Sequence, residues 1–172
     1  MDYGKIAKSY DGLYKEEQLE KLKLIGEHIK VKKSDKLLDI GCGTGIATNF
    51  FKCNSIGIDN SKELIKQVKG NLVYGKAENL PFRNKFDVIL CITAIHNFKN
   101  PEKAIKEILR VKKDKTIIVI TLLKKSKNYN KLKNLLTKYF KVKEIDSKKD
   151  TIFISQNNQL FILFQFIYLW AG

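Results

Sequence analysis

The stretch Leu37-Leu38-Asp39-Ile40-Gly41-Cys42-Gly43-Thr44-Gly45 decides the fold of this chain. It begins within an apolar run over residues 36–40, which predicts a short buried strand. Three glycines follow at alternate positions, and residues 46–51 then have helical character. A glycine turn between a strand and a helix lets a ligand lie against the backbone, because no Cβ stands in the way. Such a turn suits a dinucleotide or another adenosine-bearing cofactor, although the spacing GxGxG differs from the GxGxxG of pyrophosphate binders.

An acidic residue closes the next predicted strand, which covers residues 55–58 and ends on Asp59. A carboxylate at this position can accept two hydrogen bonds from ribose hydroxyls. The alternative is that Asp59 only caps the following helix. Asn60 can fill that capping role, with Glu63 in capping-box spacing. The position at the strand end favours the ribose role for Asp59.

Strands and helices alternate outward from these two motifs. The further predicted strands are 72–74, 86–92, 116–122, 140–145 and 151–155, and the further predicted helices are 16–30, 101–111 and 129–139. Alternation over residues 36–140 predicts right-handed βαβ units and an open parallel sheet with helices on both faces. The last two strands are joined too tightly for a crossover, so they must be antiparallel. The predicted fold class is α/β, a Rossmann-like doubly wound, mostly parallel seven-stranded sheet with an antiparallel C-terminal strand pair.

Length and composition predict one globular domain. The chain has 172 residues, of which 44% are apolar and 30% charged, and such a chain can bury a real core without disulfides or metals. We assign residues 1–156 to the domain, with residues 1–33 as an N-terminal helical cap, and residues 157–172 to an apolar tail. The apolar run at residues 160–170 is too short to span a bilayer. It is either a packed edge strand or helix, or an element for membrane-surface binding or self-association.

The net charge of +15, from 33 Lys+Arg against 18 Asp+Glu, suggests an acidic partner. Nearly all of this charge is lysine, which the coding bias of an A/T-rich gene also explains. Thirteen lysines fall within residues 112–149, interleaved with Tyr129, Tyr139 and Phe140. This segment is either an RNA-binding surface or a solvated edge that discourages sheet-to-sheet aggregation.

Three cysteines without a CxxC pair indicate neither a disulfide framework nor a zinc site, so no metal is expected. The first residues lack the apolar run of a signal peptide. We therefore expect a reducing, cytoplasmic location.

Four ordered segments resemble the motifs of class I S-adenosylmethionine-dependent methyltransferases, in the subgroup that includes quinone-biosynthesis and some tRNA wobble-uridine enzymes. They are the stretch 37–45, Gly57-Ile58-Asp59-Asn60-Ser61, Gly75-Lys76-Ala77-Glu78-Asn79-Leu80-Pro81-Phe82, and the run from Phe86-Asp87-Val88-Ile89 through Ala94-Ile95-His96-Asn97-Phe98 to the helix after Asn100-Pro101. Ser9-Tyr10-Asp11 is similar to the N-terminal Tyr-Asp element of that subgroup. The resemblance covers about residues 7–155.

The resemblance implies S-adenosylmethionine as cofactor and a binding set spread over the strand ends. That set is Tyr10, Asp39, Gly41, Cys42, Gly43, Gly45, Asp59, Asn60, Ala77, Glu78, Cys91 and Ile92. Asp39 would orient the methionine part above the glycines, and Asp59 would hold the ribose. Asn60, Ala77 and Glu78 would surround the adenine. Cys91 and Ile92 would offer backbone groups to the amino acid part, and Tyr10 would close over the cofactor.

The chain departs from the resembled pattern on the adenine side and at the acceptor. Lys76 stands where the family usually carries an Asp that meets the adenine amino group, and Glu78 can substitute for it. An inserted lid that contacts substrate, common in the family, is absent from the run of motifs, so the acceptor site is either open or completed by a partner.

His96 is the predicted general base. It lies just past the fourth strand, at the carboxyl end of the sheet where ligands bind. Methyl transfer needs in-line positioning and, for some acceptors, removal of a proton. The alternative is that His96 only packs or caps. The predicted function is S-adenosylmethionine-dependent methylation of a small-molecule acceptor; the alternatives are an RNA (tRNA) methyltransferase using residues 112–149 and a non-catalytic, methyltransferase-like partner subunit.

Overall fold

A computed structural model describes residues 7–66, 70–83 and 85–156, with side chains from residue 15 onward. The strands are β1 Lys36–Ile40, β2 Asn54–Asp59, β3 Leu72–Tyr74, β4 Phe86–Cys91, β5 Lys112–Leu123, β6 Val142–Asp146 and β7 Asp150–Ser155. The helices are α1 Ala7–His28, α2 Ile46–Phe50, α3 Lys62–Lys66, α4 Pro101–Val111 and α5 Tyr129–Tyr139, with a 3₁₀ turn at Ile95–Asn97.

The seven strands form one sheet in the order β3-β2-β1-β4-β5-β7-β6. Strands β1 to β5 are mutually parallel, and β7 runs antiparallel to both of its neighbours. The predicted fold class is confirmed. The strand order reverses between β1 and β4, and ligands of such sheets bind in the crevice at this reversal, outside the carboxyl ends of the strands.

Helices cover both faces of the sheet and make two apolar clusters. On one face, α4 buries Ala104, Ile105 and Ile108 against the sheet and α5. On the other face, α1 buries Leu22 and Ile25 against β1 and β4. Strand β4 is buried along both faces, as a central parallel strand must be. The core therefore fixes the carboxyl ends of β1 and β4 side by side.

Several element boundaries differ from the sequence predictions by one residue or more. Helix α1 begins at Ala7 instead of residue 16 and ends at His28. Strand β5 begins at Lys112 instead of Thr116, because the hydroxyl of Thr116 accepts from Lys113 N and donates to Phe86 O, which holds an irregular pairing with β4. Helix α3 starts at Lys62, so that Ser61, and not Asn60, caps it by accepting from Leu64 N at 3.3 Å.

The apolar tail, residues 157–172, lies outside the described residues, so its predicted roles and the domain boundary at residue 156 stay predictions. Within the ranges that the structure describes, no helix combines the length and apolarity needed to cross a membrane.

Candidate functional site

The glycine turn is held in a conformation that other residues rarely adopt. Gly41, Gly43 and Gly45 have φ angles of 74°, 54° and 77°, in the left-handed region that favours glycine. The amides of Gly41 and Cys42 donate to Ile58 O at 2.8 and 3.1 Å. A Cβ on Gly41 would lie 2.4 Å from the Cβ of Ala94. The turn is therefore pinned between the end of β2 and the loop that follows β4.

Asp59 accepts hydrogen bonds from the backbone of the glycine turn and of the residues that follow β2. Its Oδ2 accepts from Gly43 N and its Oδ1 from Ser61 N, both at 2.8 Å. A carboxylate has about four acceptor positions, so each oxygen keeps a lone pair for a ligand hydroxyl. Asp59 thus shapes the glycine turn and can still accept two hydrogen bonds from a ribose. The first of these roles was not predicted from the sequence.

Asp39 is a buried carboxylate beneath the turn. Its exposed fraction is 1%, and Thr48 Oγ1 donates to its Oδ2 at 2.6 Å. Burial raises the pKa of Asp39 to about 6, and the charge of Asp59 adds to this, while the Thr48 hydrogen bond opposes it. A cation bound beside Asp39 would stabilise its ionised form.

A pocket lies over Asp39 and the first part of the glycine turn, and its lining does not include Asp59 or Gly45. Its lining includes the predicted residues Asp39, Gly41, Cys42, Gly43 and Ile92, together with Gln18 and Thr44. The structure thus brings these five predicted residues, from the ends of β1 and β4, to one pocket. It adds Gln18, a residue of α1. No local pattern in the sequence marks Gln18, because its position depends on how α1 packs over the sheet.

The predicted adenine side lies beside Asp59. Strands β2 and β3 end together, with Asp59 opposite Tyr74, and the turn that follows holds a buried Ala77 and a half-buried Glu78. Glu78 Oε1 accepts from Asn100 N at 3.2 Å, which directs that carboxylate to the start of α4. Lys76 and Asn60 are exposed.

The cysteines at the site are not thiolates. Cys91 is fully buried at the end of β4, and burial raises the pKa of its thiol well above the usual range. The Cys42 thiol is shifted in the same direction, again mainly by burial. Since the thiolate is the nucleophilic form, Cys42 and Cys91 have packing roles. Tyr10 falls within α1, and its predicted contact lies outside the described side chains.

His96 stands at the carboxyl edge of the sheet, in the 3₁₀ turn after β4. Its Nδ1 is buried without a hydrogen-bond partner in the described part of the chain. Burial lowers the pKa of its imidazole; Asp150 acts in the opposite sense and Lys21 in the same sense. The sequence did not predict that Lys21 and Asp150 act on His96. Lys21 has the pattern of an ordinary helix lysine, and Asp150 lies in a polar turn between two predicted strands.

Comparison with known proteins places this site in a family. A family model described as "Methyltransferase domain" matches residues 38–120, from β1 through β5. Residues 38–120 thus match a methyltransferase domain of the class I, S-adenosylmethionine-dependent kind. The cofactor of such a methyltransferase domain is S-adenosylmethionine, and the glycine cradle with its two carboxylates fits that group.

The matches to curated relatives cover only part of each relative's length. An uncharacterized protein of Methanocaldococcus jannaschii is 38% identical over 70% of this chain and 49% of its own length. A demethylmenaquinone methyltransferase of Thermotoga maritima is 31% identical over 57% of this chain and 48% of its own length. The chain thus spans about half the length of the curated relatives it matches.

Solved structures share the fold across nearly the whole chain. A possible histamine N-methyltransferase of Thermotoga maritima has a TM-score of 0.72 at 18% identity, covering 91% of this chain and 98% of that one. A putative methyltransferase of Haloferax volcanii, in complex with the activator Trm112, has a TM-score of 0.74 at 12% identity, covering 92% and 98%.

Nearly half of the lysines in the segment 112–149 are ion-paired. Six of its lysines lie within 3.5 Å of a carboxylate. These pairs are Lys113–Asp87, Lys124–Asp146, Lys133–Glu144, Lys138–Glu102, Lys148–Glu20 and Lys149–Glu17. Such pairing lowers the positive field that an RNA-binding surface requires and favours the solvated-edge interpretation. No cluster of potential metal ligands occurs among the described residues.

Proposed function

We propose that this chain is an enzyme that transfers the methyl group of S-adenosylmethionine to a small-molecule acceptor. The observation that carries the proposal is the pairing of a buried carboxylate, Asp39, with a glycine turn closed by Asp59. This arrangement offers a partner for the cationic methionine part and acceptors for the ribose hydroxyls within one crevice.

The residues of the chain act by binding and positioning. Bound S-adenosylmethionine supplies a methyl group on a sulfonium, with a neutral thioether as the leaving group. Asp59 accepts from the ribose hydroxyls, and the open backbone of Gly41 and Gly43 lets the cofactor approach the turn. Such positioning supplies most of the rate enhancement that an in-line transfer needs. His96, at the same edge of the sheet, accepts the proton of an acceptor that carries one.

A small-molecule acceptor is supported by two observations. The relative named a demethylmenaquinone methyltransferase is 31% identical over 57% of this chain. The surface that would hold RNA has six of its lysines paired with carboxylates.

The test is transfer of label from methyl-radiolabelled S-adenosylmethionine. The purified chain is incubated with cell extract, which is then split into RNA, protein, lipid and small-molecule fractions. We expect label in the lipid or small-molecule fraction, and none above background with the Asp59→Ala variant. Label confined to RNA would contradict the acceptor class, and no enzyme-dependent label in any fraction would contradict the activity.

A further inference from the structure

A buried ion pair joins α1 to the start of β7, close to the candidate base. Lys21 is 3% exposed and Asp150 is fully buried, and Lys21 Nζ lies 2.6 Å from Asp150 Oδ2. Neither oxygen of Asp150 makes a hydrogen bond within the described part of the chain, so its contact with Lys21 is an ion pair. Burying two charges costs more in desolvation than the pair regains unless the geometry is good. Removing one partner would leave the other as an uncompensated buried charge.

The pair also holds the loop after β4. Lys21 Nζ donates to Thr93 Oγ1 at 2.7 Å, and Thr93 N donates to Thr121 Oγ1 of β5 at 2.7 Å. Thr93 has a φ of 53°, which among the described residues is the one positive value outside glycine. A β-branched residue in this region is strained, and such strain persists only where the surroundings enforce it. Contacts from α1 and β5 enforce it here.

His96 follows three residues after Thr93, in the turn that this loop leads into. The charged groups that act on its imidazole are Lys21 from α1 and Asp150 from β7. The side chain that β5 contributes to the loop, Thr121, is neutral and bonds to Thr93. The two charges act in opposite directions on the imidazole, and its buried Nδ1 is unpaired within the described residues.

We propose that Lys21 and Asp150 are positioning residues for His96: together they fix the strained loop at Thr93, which leads into the turn that carries the imidazole at the edge of the cofactor crevice. The inference rests on the proposed function, in which His96 accepts a proton. A neutral imidazole is the form that can do so. Burial favours that form. The pair supplies its placement, because Asp150 lies against the Lys21 ammonium, which donates to Thr93.

The test is an NMR titration of the His96 imidazole in the tag-free chain and in two variants. In Lys21→Met we expect the pKa of His96 to rise, because Asp150 is left to stabilise the imidazolium. In Asp150→Asn we expect it to fall, because Lys21 is left to oppose protonation. A purely structural pair gives a different result: loosening the site exposes the imidazole and raises its pKa in both variants. A rise, or no change, in Asp150→Asn would overturn the proposal.

Matched controls separate position from charge. Lys23→Met removes the same charge from an exposed position two residues along α1, and Asp114→Asn does so at an exposed position in β5. Neither control is expected to move the His96 titration. His28 is the other histidine of the chain, and the variant His96→Gln identifies which resonance belongs to His96.

If a variant fails to fold, NMR measurements on Lys21 in the unaltered protein test the same proposal. The Lys21 ammonium protons are expected to exchange slowly and to show contacts to Thr93, and the Lys21 Cε resonance is expected to shift at the midpoint of His96. A Lys21 Cε resonance that does not shift at the midpoint of the His96 titration would overturn the proposal. The titration requires neither cofactor nor acceptor. A chain that binds no S-adenosylmethionine would therefore contradict the proposed function and leave this result standing.

Discussion

At the scale of single residues, Asp39 is the clearest case of a side chain whose placement has an energetic cost. It is 1% exposed, and burial raises its pKa from 3.8 to about 6. The folded chain therefore holds a proton on Asp39 more tightly than the unfolded chain does. Its contribution to stability is full below about pH 4 and is lost as the pH rises through 6. Near pH 8 Asp39 is ionised in both states. The free energy of unfolding is then roughly 3 kcal/mol lower than it would be with a neutral Asp39.

Asp39→Asn is accordingly expected to stabilise the chain at pH 8 by up to about 3 kcal/mol and to have a much smaller effect at pH 4. The same change is expected to weaken S-adenosylmethionine binding at pH 8, because the cationic methionine part loses a charged partner. Urea denaturation at the two pH values, together with calorimetric titration of the cofactor, measures both effects. A variant less stable than the parent at pH 8 would contradict the assignment of a strained, ligand-directed carboxylate.

Sequence reasoning predicted the residues of the cofactor site better than their contacts. Asp39, Gly41, Cys42, Gly43 and Ile92 meet in one pocket, as their places at strand ends require. The pattern could not show that Asp59 also accepts from Gly43 N, since that bond depends on how β2 ends beside the turn. Nor could it show Glu78 bonded to the first residue before α4.

At the scale of elements, the glycine turn and the loop after β4 form one close contact. The Cβ of an alanine at residue 41 would meet Ala94 Cβ at 2.4 Å, and the backbone there has a φ of 74°. Ala94 is buried and follows Thr93, whose hydroxyl accepts from Lys21. The cofactor turn and the candidate base are therefore parts of one packed unit.

Gly41→Ala is expected to destabilise the chain by about 3 kcal/mol, from backbone strain and overpacking together. Gly26→Ala is the matched control, because Gly26 lies within α1 and its added Cβ would lie 3.9 Å from the ring of Phe51, an ordinary contact distance. Alanine is the better helix former, so this control is expected to stabilise the chain by about 0.5 to 1 kcal/mol. Thermal or urea unfolding of the two variants distinguishes them, and equal effects would contradict a turn that must be glycine.

Element boundaries could be predicted where local chemistry sets them. Helix α4 starts at Pro101 after the Asn100 cap, whose side chain accepts from Lys103 N, and both signals are local. Strand β5 starts earlier than predicted because Thr116 bonds to the distant Phe86. That contact is tertiary, so no window of sequence around residue 112 contains it.

At the scale of the whole molecule, the alternation of strands and helices was enough to predict the sheet, its direction and the crevice at the strand reversal. The buried Lys21–Asp150 pair was not predictable, because it joins residues near the two ends of the described chain. The ion pairs along residues 112–149 likewise needed the fold, since their acidic partners include Glu17, Glu20 and Asp87. The lysine count of residues 112–149 therefore overstated how much unpaired positive charge this surface presents.

Calorimetric titration with S-adenosylmethionine tests most directly whether the crevice between β1, β2 and β4 is a cofactor site. The unaltered chain is expected to bind with a micromolar Kd, in the range usual for enzyme ligands. Asp59→Ala is expected to weaken binding by more than about tenfold, since two hydrogen bonds to a charged group are lost. Asp87→Ala removes a carboxylate near the opposite end of the sheet, where it pairs with Lys113, and is expected to leave the Kd unchanged. No binding by the unaltered chain, or equal binding by Asp59→Ala, would contradict the account.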